Sequence, residues 1–299
     1  MVYTVTFNPA IDYVMHPARI IPGEVNRSAR EEIYFGGKGI NVSAVLEELG
    51  VESSALGFTA GFTGEAIEKG VAAMGITSDF VRLEKGCSRI NVKLKAEQET
   101  EINGGGPEIS ADALETLFSK LDGLCDGDTL VLAGSIPSSL PADIYERILE
   151  RLSDRNIRAA VDAAGKLLMN VLKYRPFVIK PNVQELGELF GRVLVTDDEI
   201  FTCAEELRRM GAKNVLVSMA GEGSLLIDEN GLRHRIGVCK GEVKNSVGAG
   251  DSMLAGFLAG CGRGYDYALK LGTACGGATA FSEGLATKEK IEEMLGQLI

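Results

Sequence analysis

The chain has no tryptophan, two histidines (His16 and His234) and eight prolines in 299 residues. Two histidines exclude a histidine-rich metal centre and argue against a histidine-based nucleophilic triad. The six cysteines include no CxxC pair, and the nearest two, Cys261 and Cys275, stand 14 positions apart. They read as reduced, mostly structural thiols of a cytoplasmic protein. The longest stretch free of charge, 129–142, has 14 residues and two prolines. It is too short and too broken to cross a bilayer. No Lys or Arg precedes Arg19, so no signal peptide is expected. Positive charge is scarce: 31 Lys and Arg stand against 42 Asp and Glu, a net charge of −11. That balance argues against a nucleic-acid partner or an anionic-membrane surface.

Several phosphate-handling signatures are missing as well. There is no GxxxxGK[ST], no GxGxxG, and no HRD or DFG. These absences argue against a Walker-type NTPase, a dinucleotide-binding domain and a typical protein kinase. Glycine, by contrast, is abundant: 37 residues, about 12%, against an average of about 7%. The glycines are clustered, which raises the question of what backbone work they do.

At about 150 residues per domain the length suggests two domains, although one α/β body with an inserted subdomain fits equally well. Strand-like and helix-like segments alternate. Strands are expected at 2–7, 54–58, 130–133, 159–162, 177–180 and 215–218. Helices are expected at 39–49, 64–74, 111–122, 141–152, 182–190, 197–210, 248–261, 265–281 and 288–298. Repeated βα units imply right-handed crossovers and a parallel sheet covered on both faces. Two segments break the rhythm. Residues 13–34 have no helical period, and 89–102 alternate apolar and polar before the turn Asn103-Gly104-Gly105-Gly106-Pro107. They are expected to form a small extra sheet beside the main body.

The strongest local signal is Val247-Gly248-Ala249-Gly250-Asp251-Ser252-Met253, where small residues run into an apolar helix. Bare N–H groups at a helix start, together with the helix dipole, make an anion site. Asp251 stands in the first turn, where it can accept a proton from a bound hydroxyl. The plainer reading is a tight turn with an aspartate complementing the dipole. Gly36-Gly37-Lys38-Gly39-Ile40-Asn41 opens another helix and adds a cation, so a phosphate or sugar fits there. Asp12 follows the first strand, and ligands bind beyond the carboxyl ends of strands in open α/β sheets. Asn182 and Glu185 have capping-box spacing, or they could reach a Mg²⁺ shell through water. Residues 218–223 end another strand and could admit a nucleotide or simply turn. Arg89 opens the alternating strand, where a solvated charge is the ordinary reading.

These segments occur together in one order: NPAID, GGKGIN, SRINVKL, AGSIP, KPNVQE, SMAGEG and VGAGDSM. In that combination the sequence resembles the PfkB branch of the ribokinase superfamily over essentially its whole length. NPAIDYV, GEVNR, TEINGGGP and SVGAGDSM are most similar to the bacterial 1-phosphofructokinase subgroup. The resemblance implies a ribokinase-like αβα sandwich with a mostly parallel central sheet and a small β-sheet lid. Its body would comprise 1–12, 35–86 and 107–299, and its lid 13–34 and 87–106. It implies ATP-dependent phosphorylation of D-fructose 1-phosphate to D-fructose 1,6-bisphosphate, with Mg²⁺.

Position by position, the resemblance makes Asp251 the general base and Gly248, Ala249 and Gly250 the anion hole. Asp12, Gly37, Lys38, Asn41, Arg89, Ser135 and Ser139 fall on the sugar-phosphate side. Lys180, Asn182, Ser218, Ala220, Gly221 and Gly223 fall on the nucleotide side, with Asn182 and Glu185 toward Mg²⁺. For a monovalent cation the resemblance points both ways. The matching positions are Asn245, Val247, Thr279, Ser282, Gly284 and Ala286, and relatives can carry Asn or Arg where this chain has Ser282 and Ala286. The Pro-Gly pair that relatives often have after the GS-I/L-P turn is Ser138-Ser139 here. A homodimer through the lid is implied, with the strand at 89–95 as the exposed edge. The alternatives are a tagatose-6-phosphate kinase or a 6-phosphofructokinase of the same family, since fructofuranose carries CH₂O groups at both ends. More remote are a non-catalytic sugar-phosphate sensor, which a lost Asp251 would favour, and a dehydrogenase, which the missing GxGxxG disfavours.

Overall fold

In the computed structural model, which describes residues 1–298, the chain begins with a buried strand, β1 (Val2–Thr6). It crosses into two long strands, β2 (Ala10–Pro17) and β3 (Ser28–Gly36), and returns through helix α1 (Lys38–Glu48). Strand β4 (Ser53–Ala60), helix α2 (Gly61–Ala73) and the short strands β5 (Thr77–Ser78) and β6 (Val81–Leu83) follow. The chain then leaves the body again as β7 (Arg89–Lys95) and β8 (Glu99–Asn103). The remainder alternates: α3 (Ala111–Leu121), β9 (Thr129–Ala133), α4 (Ile144–Arg151), β10 (Arg158–Asp162), α5 (Gly165–Val171), β11 (Val178–Ile179), α6 (Val183–Leu189), α7 (Asp197–Arg209) and β12 (Asn214–Ser218). A hairpin of β13 (Ser224–Ile227) and β14 (Arg233–Ile236) precedes three closing helices, α8 (Ala249–Gly260), α9 (Tyr265–Ala280) and α10 (Lys288–Gln297).

The large sheet has ten strands in the order β14-β13-β12-β11-β10-β9-β1-β4-β5, with β6 also paired to β4. From β12 to β5 the neighbours are parallel. Both faces are covered. On β9, Leu130 and Leu132 pack into one core while Val131 and Ala133 pack into the other. On β12, Val215 and Val217 divide from Leu216 in the same way. Two-sided burial explains why these strands read as unbroken apolar runs.

The sheet is mostly parallel, as expected, and β12, β13 and β14 form an antiparallel edge. The structure corrects the sequence reading in several places. The helix expected from Pro141 begins at Ile144, because Pro141 to Asp143 make a turn closed by Ile144 N–H on Pro141 O. Helix α5 was not anticipated.

The small sheet has the order β3-β2-β7-β8 and runs from Ala10 to Gly36 in its first hairpin, wider than 13–34. Strand β7 pairs parallel with β2 and antiparallel with β8. Residues 89–95 are therefore interior to the sheet, and its edges are β3 and β8. The alternation predicts the faces correctly. Ile11, Tyr13, Ile33, Ile90, Val92 and Ile102 share the outer face, while Asp12, Asn91 and Lys93 share the inner one.

Close approach of β1 and β4 depends on Gly57, which stands opposite Thr6 with φ +150°. A Cβ there would lie 1.9 Å from Thr6 O. Gly57→Ala is expected to destabilise the protein by about 2 kcal/mol or more. Urea denaturation checks this, and an unchanged midpoint would contradict it.

Candidate active site

Strands β1, β9, β10, β11 and β12 end on one side of the large sheet, and the small sheet overhangs that side. Helix α8 points its first turn at the same place. Gly248 caps it in the left-handed region with φ +80°, and a Cβ there would lie 2.7 Å from Leu285 Cδ2. No side chain caps the turn. Ala249 N–H donates to Ser246 O at 3.3 Å, and the neighbouring amides of the turn are left for a ligand, as the small residues lead one to expect. Ser252 Oγ and Thr279 Oγ1 meet at 2.7 Å and tie α8 to α9.

Asp251 is 5% exposed, and its Oδ2 accepts a hydrogen bond from Asn41 Nδ2 at 2.8 Å. Burial, and then the neighbouring Asp162 carboxylate, push its carboxyl up to about 7. The Asn41 hydrogen bond, Lys180 and Lys38 oppose that shift. A carboxyl poised near neutrality suits a general base.

Asp162 ends β10 and is 2% exposed. Its Oδ2 lies 3.4 Å from Lys38 Nζ and 3.3 Å from Lys180 Nζ. Burial pulls Lys38 down, but the attraction of Asp162 and Asp251 outweighs it and holds the ammonium above its ordinary value. Sequence reasoning missed Asp162, although its place at the carboxyl end of a central strand was a usable signal. It also missed Asn91 and Lys93. Asn91 Nδ2 donates to Asp12 Oδ1 at 2.8 Å, and Lys93 Nζ lies 3.7 Å from Asp12 Oδ2.

Two cavities open at this point. The polar one, about 400 Å³, is lined by Asp12, Gly37, Lys38, Asn41, Arg89, Asn91, Asp162, Lys180, Glu185, Gly248 and Asp251, among others. Arg89 Nε donates to Asn8 O at 3.1 Å, and among the described residues its guanidinium makes no ion pair. Burial draws it below its ordinary value, against the pull of Asp12. The second cavity, about 750 Å³, is lined by Ala220, Gly221, Gly223, Ala249, Met253 and Phe281, among others. Asn182, Ser218 and Gly250 line both. These volumes lie in the range of small-molecule sites.

Asn182 and Glu185 form the capping box that their spacing predicts. Asn182 Oδ1 accepts from Glu185 N–H, and Glu185 Oε2 accepts from Asn182 N–H, each at 2.8 Å. Both still face the polar cavity. Ser135 and Ser139 are not brought to either cavity. Ser135 is exposed, and Ser139 Oγ is buried without a hydrogen-bond partner. At the positions matched to a monovalent cation, Val247 N–H donates to Asn245 Oδ1 and Ala286 N–H to Thr279 Oγ1.

A carboxyl whose pKa is raised on folding costs stability when charged. The folded state binds more protons than the unfolded chain between about 4, the unfolded value, and about 7. Stability contributed by this group therefore falls as pH rises through that window. Asp251→Asn is expected to melt above the parent at pH 8, with a smaller gap at pH 5. Melting curves at both values test this, and a gap independent of pH would contradict it.

The family model described as pfkB family carbohydrate kinase matches residues 5–292. The chain is 45% identical to the 1-phosphofructokinase of Bacillus subtilis (strain 168), over 100% of this chain and 98% of that one. It is 36% identical to the D-tagatose-1-phosphate kinase of Bacillus licheniformis, over 100% and 98%. Its fold matches the crystal structure of phosphofructokinase-2 from Escherichia coli in complex with substrates and products. That match has a TM-score of 0.92 and 25% identity, over 99% of each chain. With the match running through the lid as well as the body, the chain belongs to the pfkB family of carbohydrate kinases.

Proposed function

We propose that this sugar kinase transfers the γ-phosphoryl group of ATP to the C6 hydroxyl of D-fructose 1-phosphate, giving D-fructose 1,6-bisphosphate. The observation that carries the reading is the position of Asp251 in a polar cavity lined by Lys38, Arg89 and Lys180, next to Gly250, where that cavity meets a larger, more apolar one. ATP takes the larger cavity and lays its triphosphate past Ser218, Asn182 and Gly250. The sugar phosphate takes the polar cavity. Asp12 and Asn41 hold its hydroxyls, and Arg89 meets its phosphate. Asp251 receives the C6 hydroxyl proton as that oxygen attacks phosphorus. The free amides of Gly248 and Gly250, with Ala249 between them, and the Lys180 ammonium stabilise the charge on the transferring group. Catalysis of this kind is mainly positioning and electrostatics.

Mg²⁺ fits the residues present. Glu185 keeps one carboxylate oxygen outside the capping box and faces the polar cavity. Among the described residues there is no cluster of three or more His, Cys, Asp or Glu to hold an ion by protein alone. That donor set suits an ion that arrives with the triphosphate and keeps its waters, with Asn182 and Glu185 outside them. When bound, it neutralises part of the phosphate charge.

We also propose a homodimer through the lid. On its outer face Ile33, Ile90 and Ile102 are 54%, 41% and 61% exposed, and an apolar sheet face with free edges favours pairing. The six free cysteines fit a reducing, cytoplasmic setting.

Two measurements test the reading. ADP release is compared for fructose 1-phosphate, tagatose 1-phosphate, fructose 6-phosphate and tagatose 6-phosphate. The highest kcat/KM is expected with fructose 1-phosphate, and a higher value for any of the other three would overturn the assignment. In the second, Asp251→Asn is expected to lose about 10²-fold or more in kcat, while Arg89→Ala mainly raises KM for the sugar phosphate. Near-normal turnover of the first, or weakened ATP binding alone in the second, would contradict these roles.

A further inference from the structure

We infer that Asp162 is a positioning residue for phosphoryl transfer, holding Lys38 and Lys180 beside the turn that opens α8. The inference rests on the kinase reading of this site. The two ammonium groups share one carboxylate oxygen, at 3.4 and 3.3 Å, although they repel each other. Lys38 comes from the start of α1 and is partly exposed, so it has room to swing into solvent. Lys180, 5% exposed, lies against the anion-hole turn: a Cβ on Gly250 would stand 3.1 Å from its Nζ. The buried carboxylate fixes both cations before any phosphate arrives.

The geometry also separates the tasks of the two aspartates. Asp162 Oδ2 accepts no conventional hydrogen bond and faces only the two ammonium groups. The bond from Asn41 occupies Oδ2 of Asp251, which leaves its Oδ1 for a substrate hydroxyl. The contacts of Asp162 are long for charge-assisted hydrogen bonds. Donor capacity on both lysines thus remains for incoming phosphoryl oxygens. The charge of Asp162 acts on the base as well. Asp251 faces Asp162 from β10, Lys38 and Asn41 from α1, and Lys180 from the segment after β11, and only Asp162 among them disfavours its ionised form.

The test is steady-state kinetics of Asp162→Asn, using whichever ketohexose phosphate gives the parent protein its highest kcat/KM. The choice of substrate is thereby decided separately, and a failed substrate assignment leaves this test intact. The expected result is a kcat about 10²-fold lower, the range for misplaced catalytic groups, with each KM within about threefold of the parent. The acidic limb of kcat/KM should move to lower pH, because the remaining lysines are no longer opposed. An unchanged kcat, a raised KM with kcat retained, or an unmoved limb would overturn the inference. Lys180→Met tests it without removing the carboxylate, in case Asp162→Asn does not fold. Its kcat should fall by about 10²-fold with each KM within about threefold of the parent, and a retained kcat would overturn the inference. If both variants fold, the double variant should lose little more than the worse single one, whereas multiplying losses would show that Asp162 does not act through Lys180.

Discussion

Two carboxylates and two ammonium groups gathered at one end of the sheet are the constraint on which the site depends. Asp162, Asp251, Lys38 and Lys180 come from β10, α8, α1 and the segment after β11. Burying a charge is costly unless it is paired, and the buried Asp162 carboxylate has Lys38 and Lys180 beside it. The signs of the four balance, which lets the pocket stay formed before a phosphate enters. The balance is imperfect: the ion pairs are long, and Asp251 is pushed toward neutrality. Both features leave unsatisfied interactions for a ligand to complete.

The scaffold explains how four remote segments meet. Parallel strands deliver β10 and β11 side by side, with Ala160 opposite Val178 and Val161 opposite Ile179. Asp162 and Lys180 then emerge together. Helix α1 packs on α8, and Asn41 reaches across to Asp251. The lid adds Asp12, Asn91 and Lys93 from neighbouring strands on its inner face. The opposite face buries Ile11 against the body at its base and exposes Ile33, Ile90 and Ile102 farther out. One sheet thus supplies a polar ceiling to the site and an apolar surface to the outside.

The parts of this site that were legible in the sequence are those with local causes. Gly248 to Asp251 announced themselves because small residues before an apolar helix have few other uses. Gly36 to Asn41 were legible for the same reason, and the alternation of 89–95 marked a half-buried strand. Asp162 was not legible, because its importance comes from lysines far away in the chain. Alternation also says nothing about which neighbour a strand pairs with, so β7 was taken for an edge. The β13–β14 hairpin was missed because Ser224–Ile227 is short and buried throughout, giving neither a period nor a polar face. Ser135 and Ser139 were assigned through resemblance alone, and neither lines either cavity.

The two cavities meet at Gly250, the residue before Asp251, and the reading proposed above has the phosphoryl group pass directly from donor to acceptor there, with Asp251 taking only a proton. The stereochemistry at phosphorus tests it most directly. With ATP made chiral at the γ-phosphorus by oxygen isotopes, a single in-line displacement predicts inversion of configuration in the sugar bisphosphate. Retention would require a covalent phospho-enzyme and would contradict the account.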